Sequence, residues 1–283
     1  MRMNLTVESY MTKKPFTLKL PASVSDAMQV MASKDVAAVP VLDPKGNYAG
    51  IVSRRDILEH PKEDELSLLM RTDFPTLSSK DPLDKAVSIF TKILRRHLVI
   101  VDNKKIAGII TPYDILDAVI SRKIDTPITK LVTRTAIPLH IKSTAKMVER
   151  VIKLTKVTAF PVLDNNGNLT GLVTERDLLN GANLDSKTVS TQLGIGEDDD
   201  AWSWESLRDV YTFYYTIRDL EIPNVEVEKI MVKSPISIFE GASAYDAAKI
   251  MKKNKFTQLP VRDVDDELSG MVYDFDVISS LIK

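Results

Sequence analysis

A hydroxyl residue followed three positions later by an aspartate closes the same short phrase three times in this chain. The copies are Gly50-Ile51-Val52-Ser53-Arg54-Arg55-Asp56, Gly108-Ile109-Ile110-Thr111-Pro112-Tyr113-Asp114 and Gly171-Leu172-Val173-Thr174-Glu175-Arg176-Asp177. A fourth, Gly270-Met271-Val272-Tyr273-Asp274-Phe275-Asp276, keeps the aspartate but carries Tyr273 in place of the hydroxyl residue. At the start of a helix, Ser or Thr with Asp three residues on is a capping pair that satisfies two backbone N–H groups otherwise left without partners. The same place suits a ligand. Free N–H groups and the positive end of the helix dipole favour phosphate. A carboxylate can accept hydrogen bonds from two vicinal hydroxyls, such as those of a ribose. Ser53/Asp56, Thr111/Asp114 and Thr174/Asp177 therefore read as caps alone or as caps that also bind.

Phosphate would need cations nearby. Arg95-Arg96-His97 stands just before an apolar run, and Arg55 and Arg176 sit inside their phrases. The alternative for each is a solvated side chain, and a basic helix end is favourable for the dipole in any case. A phenol is larger than a hydroxymethyl group, so Tyr273 is expected to fill phosphate space and leave the Asp276 site the weakest or without ligand.

The elements that must position these residues also repeat. The phrase glycines stand 58, 63 and 99 residues apart, so the last interval holds one repeat and an insertion. Each phrase follows an apolar run ending in Asp: Val39–Asp43, Leu98–Asp102, Phe160–Asp164 and Leu259–Asp263. Turn residues such as Lys45-Gly46-Asn47 and Asn165-Asn166-Gly167-Asn168 join run to phrase, which reads as strand, turn, strand. Upstream, Val24, Ala27, Met28, Val30 and Met31 recur near helical spacing. So do Leu83, Ala86, Val87, Phe90 and Leu94, and Met147, Val148, Val151, Ile152 and Leu154. Asp81-Pro82 and Ser243 with Asp246 read as helix starts. A short extended piece precedes each helix, and a second apolar helix follows each phrase, clearest at 115–120 and 277–282. The unit is strand, helix, strand, strand, helix in about sixty residues, with helices on one face of a small sheet. Such a unit buries its surface poorly alone, so copies should pair.

This order, length and Gly-φ-φ-Ser/Thr-x-x-Asp ending resemble the CBS (cystathionine β-synthase) domain, whose copies pair into Bateman modules. The layout is similar to the γ subunit of AMP-activated protein kinase and to archaeal proteins of four CBS domains. The resemblance implies an α+β fold of four βαββα CBS repeats in two Bateman modules: repeats at 7–60, 66–122, 127–183 and 226–283, with an insertion at 184–225. It implies that the phrase aspartate holds a ribose and that the Ser or Thr lies near phosphate. It implies too that Arg96 and His97 contact phosphate, since the γ subunit has basic residues at the matching place. Adenine would lie in an apolar slot offered by the partner repeat. Val36-Ala37-Ala38 would serve the Asp114 site, and Val157-Thr158-Ala159 the Asp276 site. Ordinary strand-edge packing is the other reading of both triplets.

The 283 residues carry a net charge of −1, which gives no global field for nucleic acid, and no cysteine, which excludes disulfides, thiolate nucleophiles and cysteine-based zinc sites. No apolar run approaches a membrane span, and the polar N-terminus is no signal peptide. A cytoplasmic protein is therefore expected. The histidines, His60, His97 and His140, form no metal-ligand or hydrolase pattern, and there is no P-loop. Neither a metal nor a catalytic cofactor is expected. The reading is a non-enzymatic energy-sensing regulator that binds AMP first, or ADP or ATP, signals to an unidentified partner protein, and forms a possible homodimer. The alternatives are an interaction scaffold without ligand and a sensor of S-adenosylmethionine-type ligands. Within the insertion, Trp202, Trp204, Leu207, Val210, Tyr211, Tyr214, Ile217 and Leu220 follow the acidic run 197–200 with the spacing of an amphipathic helix. That helix would pack on its own module or form a docking surface.

Overall fold

The structure, a computed structural model, describes residues 5–60, 62–93, 96–132, 135–181, 183–192, 212–222 and 224–282. The first repeat holds β1 (Thr12–Lys13), β2 (Leu18–Lys19), α1 (Val24–Ser33), β3 (Ala38–Leu42), β4 (Tyr48–Ser53) and α2 (Arg54–Glu59). The second holds α3 (Leu66–Leu69), β5 (Thr76–Leu77), α4 (Leu83–Ile93), β6 (Leu98–Asp102), β7 (Lys105–Ile110) and α5 (Pro112–Arg122). The third holds β8 (Leu139–His140), α6 (Ala145–Thr155), β9 (Ala159–Leu163), β10 (Leu169–Thr174) and α7 (Glu175–Gly181). After β11 (Asn183–Gln192) and β12 (Thr212–Glu221), the fourth holds β13 (Val232–Lys233), β14 (Ile238–Phe239), α8 (Ala244–Asn254), β15 (Gln258–Arg262), β16 (Leu268–Tyr273) and α9 (Asp274–Ser279). In every repeat the short leading strand runs parallel to the middle one, and the phrase strand returns antiparallel, as in β2-β3-β4 and β14-β15-β16.

The residues ahead of each repeat do not stay with it. β1 leaves the first repeat and pairs with β7 of the second, while β13 of the fourth pairs with β10 of the third. In return, Arg71 exchanges both backbone hydrogen bonds with Ile51 on β4 (2.8 and 3.0 Å). Val7, fully buried, belongs to the second repeat's core, Leu66 and Leu69 to the first's, Val227 to the third's, and Ile128 with Leu131 to the fourth's. The phrase glycine is the crossing point. A Cβ on Gly108 would stand 2.8 Å from the Thr12 carbonyl oxygen and 2.7 Å from the Met11 sulfur. On Gly50 it would stand 2.7 Å from the Arg71 carbonyl oxygen, and on Gly171 it would strike Met231. The backbone contact requires glycine at Gly50 and Gly108, and the crossing ties each unit to its pair.

Within each pair the sheets pack face to face. Ala38 and Ile51 meet Val99 in one module, and Ala159 and Leu172 meet Met271 and Tyr273 in the other. Between modules the helices pack, and unequally. α5 lies against α8 and α9, and α4 against α9. One apolar core therefore runs through repeats 2 and 4, with Phe90, Ile115 and Leu116 joined to Ala247, Met251 and Val277. Repeats 1 and 3 keep separate cores. Where α2 meets α6 and α7 they are tied by Lys156–Glu59 (2.8 Å), Arg55–Glu175 (3.3 Å) and Arg176–Asp35.

Three expectations are corrected. The insertion is not a helix where it is described: β11 and β12 form an antiparallel ladder from Asn183↔Glu221 to Gln192↔Thr212. The run Thr212-Phe213-Tyr214-Tyr215-Thr216-Ile217 is rich in β-branched and aromatic residues, which suit a strand. Trp202, Trp204, Leu207, Val210 and Tyr211 lie outside the described residues. On α6, Met147 and Leu154 are exposed, and Ala145, Val148 and Ile152 face the core. Asp81 does not cap α4; it accepts from the Ser78 N–H and pairs with Lys85 (both 2.9 Å). The Ser243–Asp246 capping box forms as expected. Because the clash at Gly108 is with backbone, Gly108→Ala is expected to destabilise the protein by about 1–3 kcal/mol, measured by urea unfolding. The solvent-side Gly167, with nothing near it but a positive φ of 84°, is the control for backbone strain alone.

Candidate functional site

Each phrase strand ends at or one residue before Ser53, Thr111, Thr174 or Tyr273, where the next helix begins, so all four aspartates sit in the first helical turn. The inner carboxylate oxygen does the capping. Asp177 Oδ2 accepts from the Thr174 N–H and Oγ1 (both 2.8 Å), and Asp114 Oδ2 from the Thr111 N–H and Oγ1 (both 2.8 Å). Asp56 Oδ2 accepts from Ser53 N–H (2.9 Å) and Oγ (2.6 Å). Asp276 Oδ2 accepts only the Tyr273 N–H from that residue (3.0 Å), because a phenol cannot fold back to the helix end.

The outer oxygens separate the sites. Asp56 Oδ1 is held by the Arg71 Nε at 2.6 Å. Asp114 and Asp177 have no such ion pair among the described residues. Asp177 and Thr174 line a cleft of about 500 Å³, with Thr111 and Tyr113 of the second repeat on its wall. Ser234-Pro235-Ile236 and Phe256-Thr257-Gln258 of the fourth repeat complete it, and Arg54, Arg96, His97 and Arg176 reach it from three repeats. The volume is in the range of small-molecule sites. Asp114 itself is half-buried and does not line this cleft. Ser53, Arg55, Asp56 and Ala37 line a much tighter cavity of about 60 Å³ with Arg71, Phe74, Arg96 and His97.

The adenine-slot triplets divide. Ala37 and Thr158 reach clefts, and Val157 lines a third cleft beside Tyr273. Val36 packs on the first repeat's own core, Ala38 is buried between sheets, and Ala159 lies under the Tyr273 ring. The contacts of those three are with the protein's own cores and sheets. Tyr273 and Phe275 stack at 5.0 Å, nearly parallel, and the Tyr273 hydroxyl lies 3.4 Å from the Ala159 carbonyl oxygen. The aromatic pair stands beside Val157, where the resemblance places the slot of the Asp276 site.

Every arginine here meets a carboxylate from elsewhere in the chain. Arg96, from the second repeat, bonds the fully buried Asp274 of the fourth and lies over the Phe275 ring at 5.9 Å; its Nη1 is buried without a hydrogen-bond partner among the described residues. Arg55 pairs with Glu175, and Arg176 and Arg54 with Asp35. Arg95 lies outside the described residues. Sequence reading missed Arg54, Arg71, Glu175 and Asp274. Three of these are the variable letters of the phrase, so the repeat itself pointed to them, whereas nothing local marks Arg71.

Burial governs the titrations. It pushes the carboxyl of Asp274 up to about 6, against the pull of Arg96, and raises Asp114 and Glu175 as well. His97 is driven down to about 3 by burial and then by Arg96 and Arg54, so its imidazole is neutral in the cleft wall. The two residues act oppositely on stability. The native state holds the Asp274 proton more tightly than the unfolded chain, so this contribution is full below 3.8 and is lost as pH rises through about 6. His97 takes its proton only on unfolding, so its contribution is lost as pH falls from 6.5 toward 3. Urea unfolding of the wild type and Asp274→Asn across this range isolates the aspartate. The wild type should gain up to ~3 kcal/mol relative to the variant as pH falls from 7 to 4. A difference that does not change with pH refutes the assignment.

With this geometry in place, the comparisons are informative. The CBS domain family matches residues 7–63, 65–121, 128–182 and 227–283. Protein MJ1404 of Methanocaldococcus jannaschii is 26% identical over 98% of this chain and 62% of its own length. The chain thus spans less than two thirds of that curated relative. The crystal structure of a conserved protein from Pyrococcus horikoshii is 26% identical, with a TM-score of 0.64 over 98% of this chain and 100% of that one. That of MJ1225 from Methanocaldococcus jannaschii is 20% identical, with a TM-score of 0.77 over the same shares, and shows the same four-repeat fold.

Proposed function

The chain belongs to the CBS domain family, and we propose that this member is a non-catalytic sensor of an adenosine nucleotide, AMP foremost and ADP or ATP next. The observation that carries this reading is the Asp177 cleft. A helix N-terminus with Thr174, a carboxylate whose inner oxygen is spent on the cap, apolar walls at Ile236 and Phe256, and three arginines all meet in about 500 Å³. Those are the parts a nucleotide needs. The outer oxygen of Asp177 takes the ribose diol, the Thr174 end of the helix takes phosphate, and Ile236 and Phe256 enclose the base. Asp114 offers a second ribose acceptor. Asp56 ranks third, since ribose must displace Arg71 from it, and Asp276 last.

The signal follows from where the arginines come from. Arg54 and Arg96 belong to the first module, whereas Asp177 belongs to the second, so a phosphate in this cleft bridges the modules. It competes with Asp274 for Arg96, and the arrangement of modules that releases Arg96 is the one the ligand favours. A partner protein reads that difference.

Calorimetry with AMP, ADP, ATP and S-adenosylmethionine tests the reading. Asp177→Ala is expected to weaken adenosine-nucleotide binding about 10- to 100-fold, the range for hydrogen bonds to a charged acceptor. Asp276→Ala should leave it unchanged. Unchanged affinity in Asp177→Ala removes the ribose assignment, and no heat from any of the four ligands at millimolar concentration favours a scaffold.

A further inference from the structure

On the side of repeats 1 and 3 lies another cleft, of about 550 Å³, that the nucleotide reading leaves unused. Four of its lining side chains are cations drawn from separate stretches of chain: Arg55, Arg71, Arg96 and Lys156. Among the described residues, one carboxylate, Glu59, lines it with them. The rest of the wall is Ile93, Val157, the stacked Tyr273–Phe275 pair and three threonines. No phrase aspartate lines this cleft, and its carboxylate Glu59 is engaged by Arg71 and Lys156.

From this we infer that the cleft is a seat for a condensed phosphate without a nucleoside: pyrophosphate, tripolyphosphate or a longer chain. The fourth repeat has lost the nucleoside half of a nucleotide site and kept the anion half. Three guanidiniums can each present a pair of parallel N–H groups to phosphate oxygens, and the Lys156 ammonium, half exposed at the mouth, adds a mobile point charge. At present these cations face carboxylates: Arg55 faces Glu175, Arg71 faces Asp56 and Glu59, Arg96 faces Asp274, and Lys156 faces Glu59. A chain of several phosphates offers each of them an alternative partner at once, which one phosphate cannot do. The Lys156–Glu59 and Arg55–Glu175 pairs also tie repeat 3 to repeat 1, so the anion would replace direct ties between the modules by a bridge through itself. The same chemistry would serve the tail of a nucleoside triphosphate, and the experiment separates the two sources. The inference rests on the nucleotide reading only in naming what the fourth repeat has lost.

Calorimetry of the full chain uses sodium tripolyphosphate, inorganic phosphate and ATP as probes. Tripolyphosphate should bind, with affinity falling as salt rises, and inorganic phosphate should bind at least tenfold more weakly, having one group to share among four cations (about 1.4 kcal/mol per tenfold). Lys156→Ala and Arg55→Ala should each weaken tripolyphosphate about tenfold. Glu59→Gln, which removes the competing carboxylate and carries no risk of a lost cation, should tighten it about three- to fivefold. Asp177→Ala should leave tripolyphosphate binding intact while it weakens binding of AMP, which keeps the two sites distinguishable. Competition of ATP with tripolyphosphate in Asp177→Ala assigns the seat to triphosphate tails as well, and its absence restricts the seat to the inorganic chain. No tripolyphosphate heat, loss of binding in Asp177→Ala, or no gain in Glu59→Gln overturns the inference.

Discussion

The structure depends on a close crossing of leader and phrase strand at the phrase glycine, backbone against backbone at Gly50 and Gly108 and side chain against backbone at Gly171 and Gly270. The leader of each unit lies over the phrase strand of its neighbour, and at Gly50, Gly108 and Gly171 a Cβ would meet the leader at less than 3 Å. Because Val7, Leu66, Ile128, Leu131 and Val227 complete cores that are not their own, no unit is finished without its partner. The crossing fixes the register of the phrase strand, the strand fixes where Ser53, Thr111, Thr174 and Tyr273 stand at its end, and that end fixes where the capping carboxylates stand. The position of every phrase aspartate is inherited from a packing requirement several residues upstream.

Cap and binding group prove to be one residue with two oxygens. The inner oxygen of each phrase aspartate holds its helix start. The surroundings decide what the outer oxygen can do: Arg71 takes it at Asp56, whereas Asp177 presents its carboxylate beside a cleft of mixed apolar and basic lining. Equal phrases thus yield unequal sites. The difference is made by residues outside the phrase or at its variable letters, where Arg54, Arg55, Glu175, Arg176, Asp274 and Phe275 meet between the modules.

Much of this was legible in the sequence. Four copies of a phrase in phase with apolar runs announced the repeat, the strands and the caps, because those depend on spacing alone. Tyr273 stood out because one hydroxyl was missing. Arg71 did not, since its partnership with Asp56 is created by the leader exchange, and the only sign of that exchange was a weak echo among Val7-x-x-x-Met11, Leu66-x-x-x-Met70 and Val227-x-x-x-Met231. Periodicity misled in two places. On α6, Met147 and Leu154 share the helical spacing but not the buried face. In the insertion, residues spaced for a helix were β-branched and aromatic enough to pair as strands where they are described. Val36, Ala38 and Ala159 show the same limit from the other side: a small apolar residue at a strand edge looks alike whether it faces a ligand or a neighbouring sheet.

The two seams between the modules are built of different materials. Repeats 2 and 4 share a continuous apolar core, while repeats 1 and 3 meet through Lys156–Glu59, Arg55–Glu175 and Arg176–Asp35. Apolar contact weakens on cooling and is strengthened by excluded salts such as sulfate. Charge pairs near the surface are screened as ionic strength rises. Ionic strength and temperature therefore act on different seams of the same molecule. A rise in ionic strength weakens the solvent-reached Lys156–Glu59 and Arg176–Asp35 pairs more than the more sheltered Arg55–Glu175 pair and leaves the apolar seam closed.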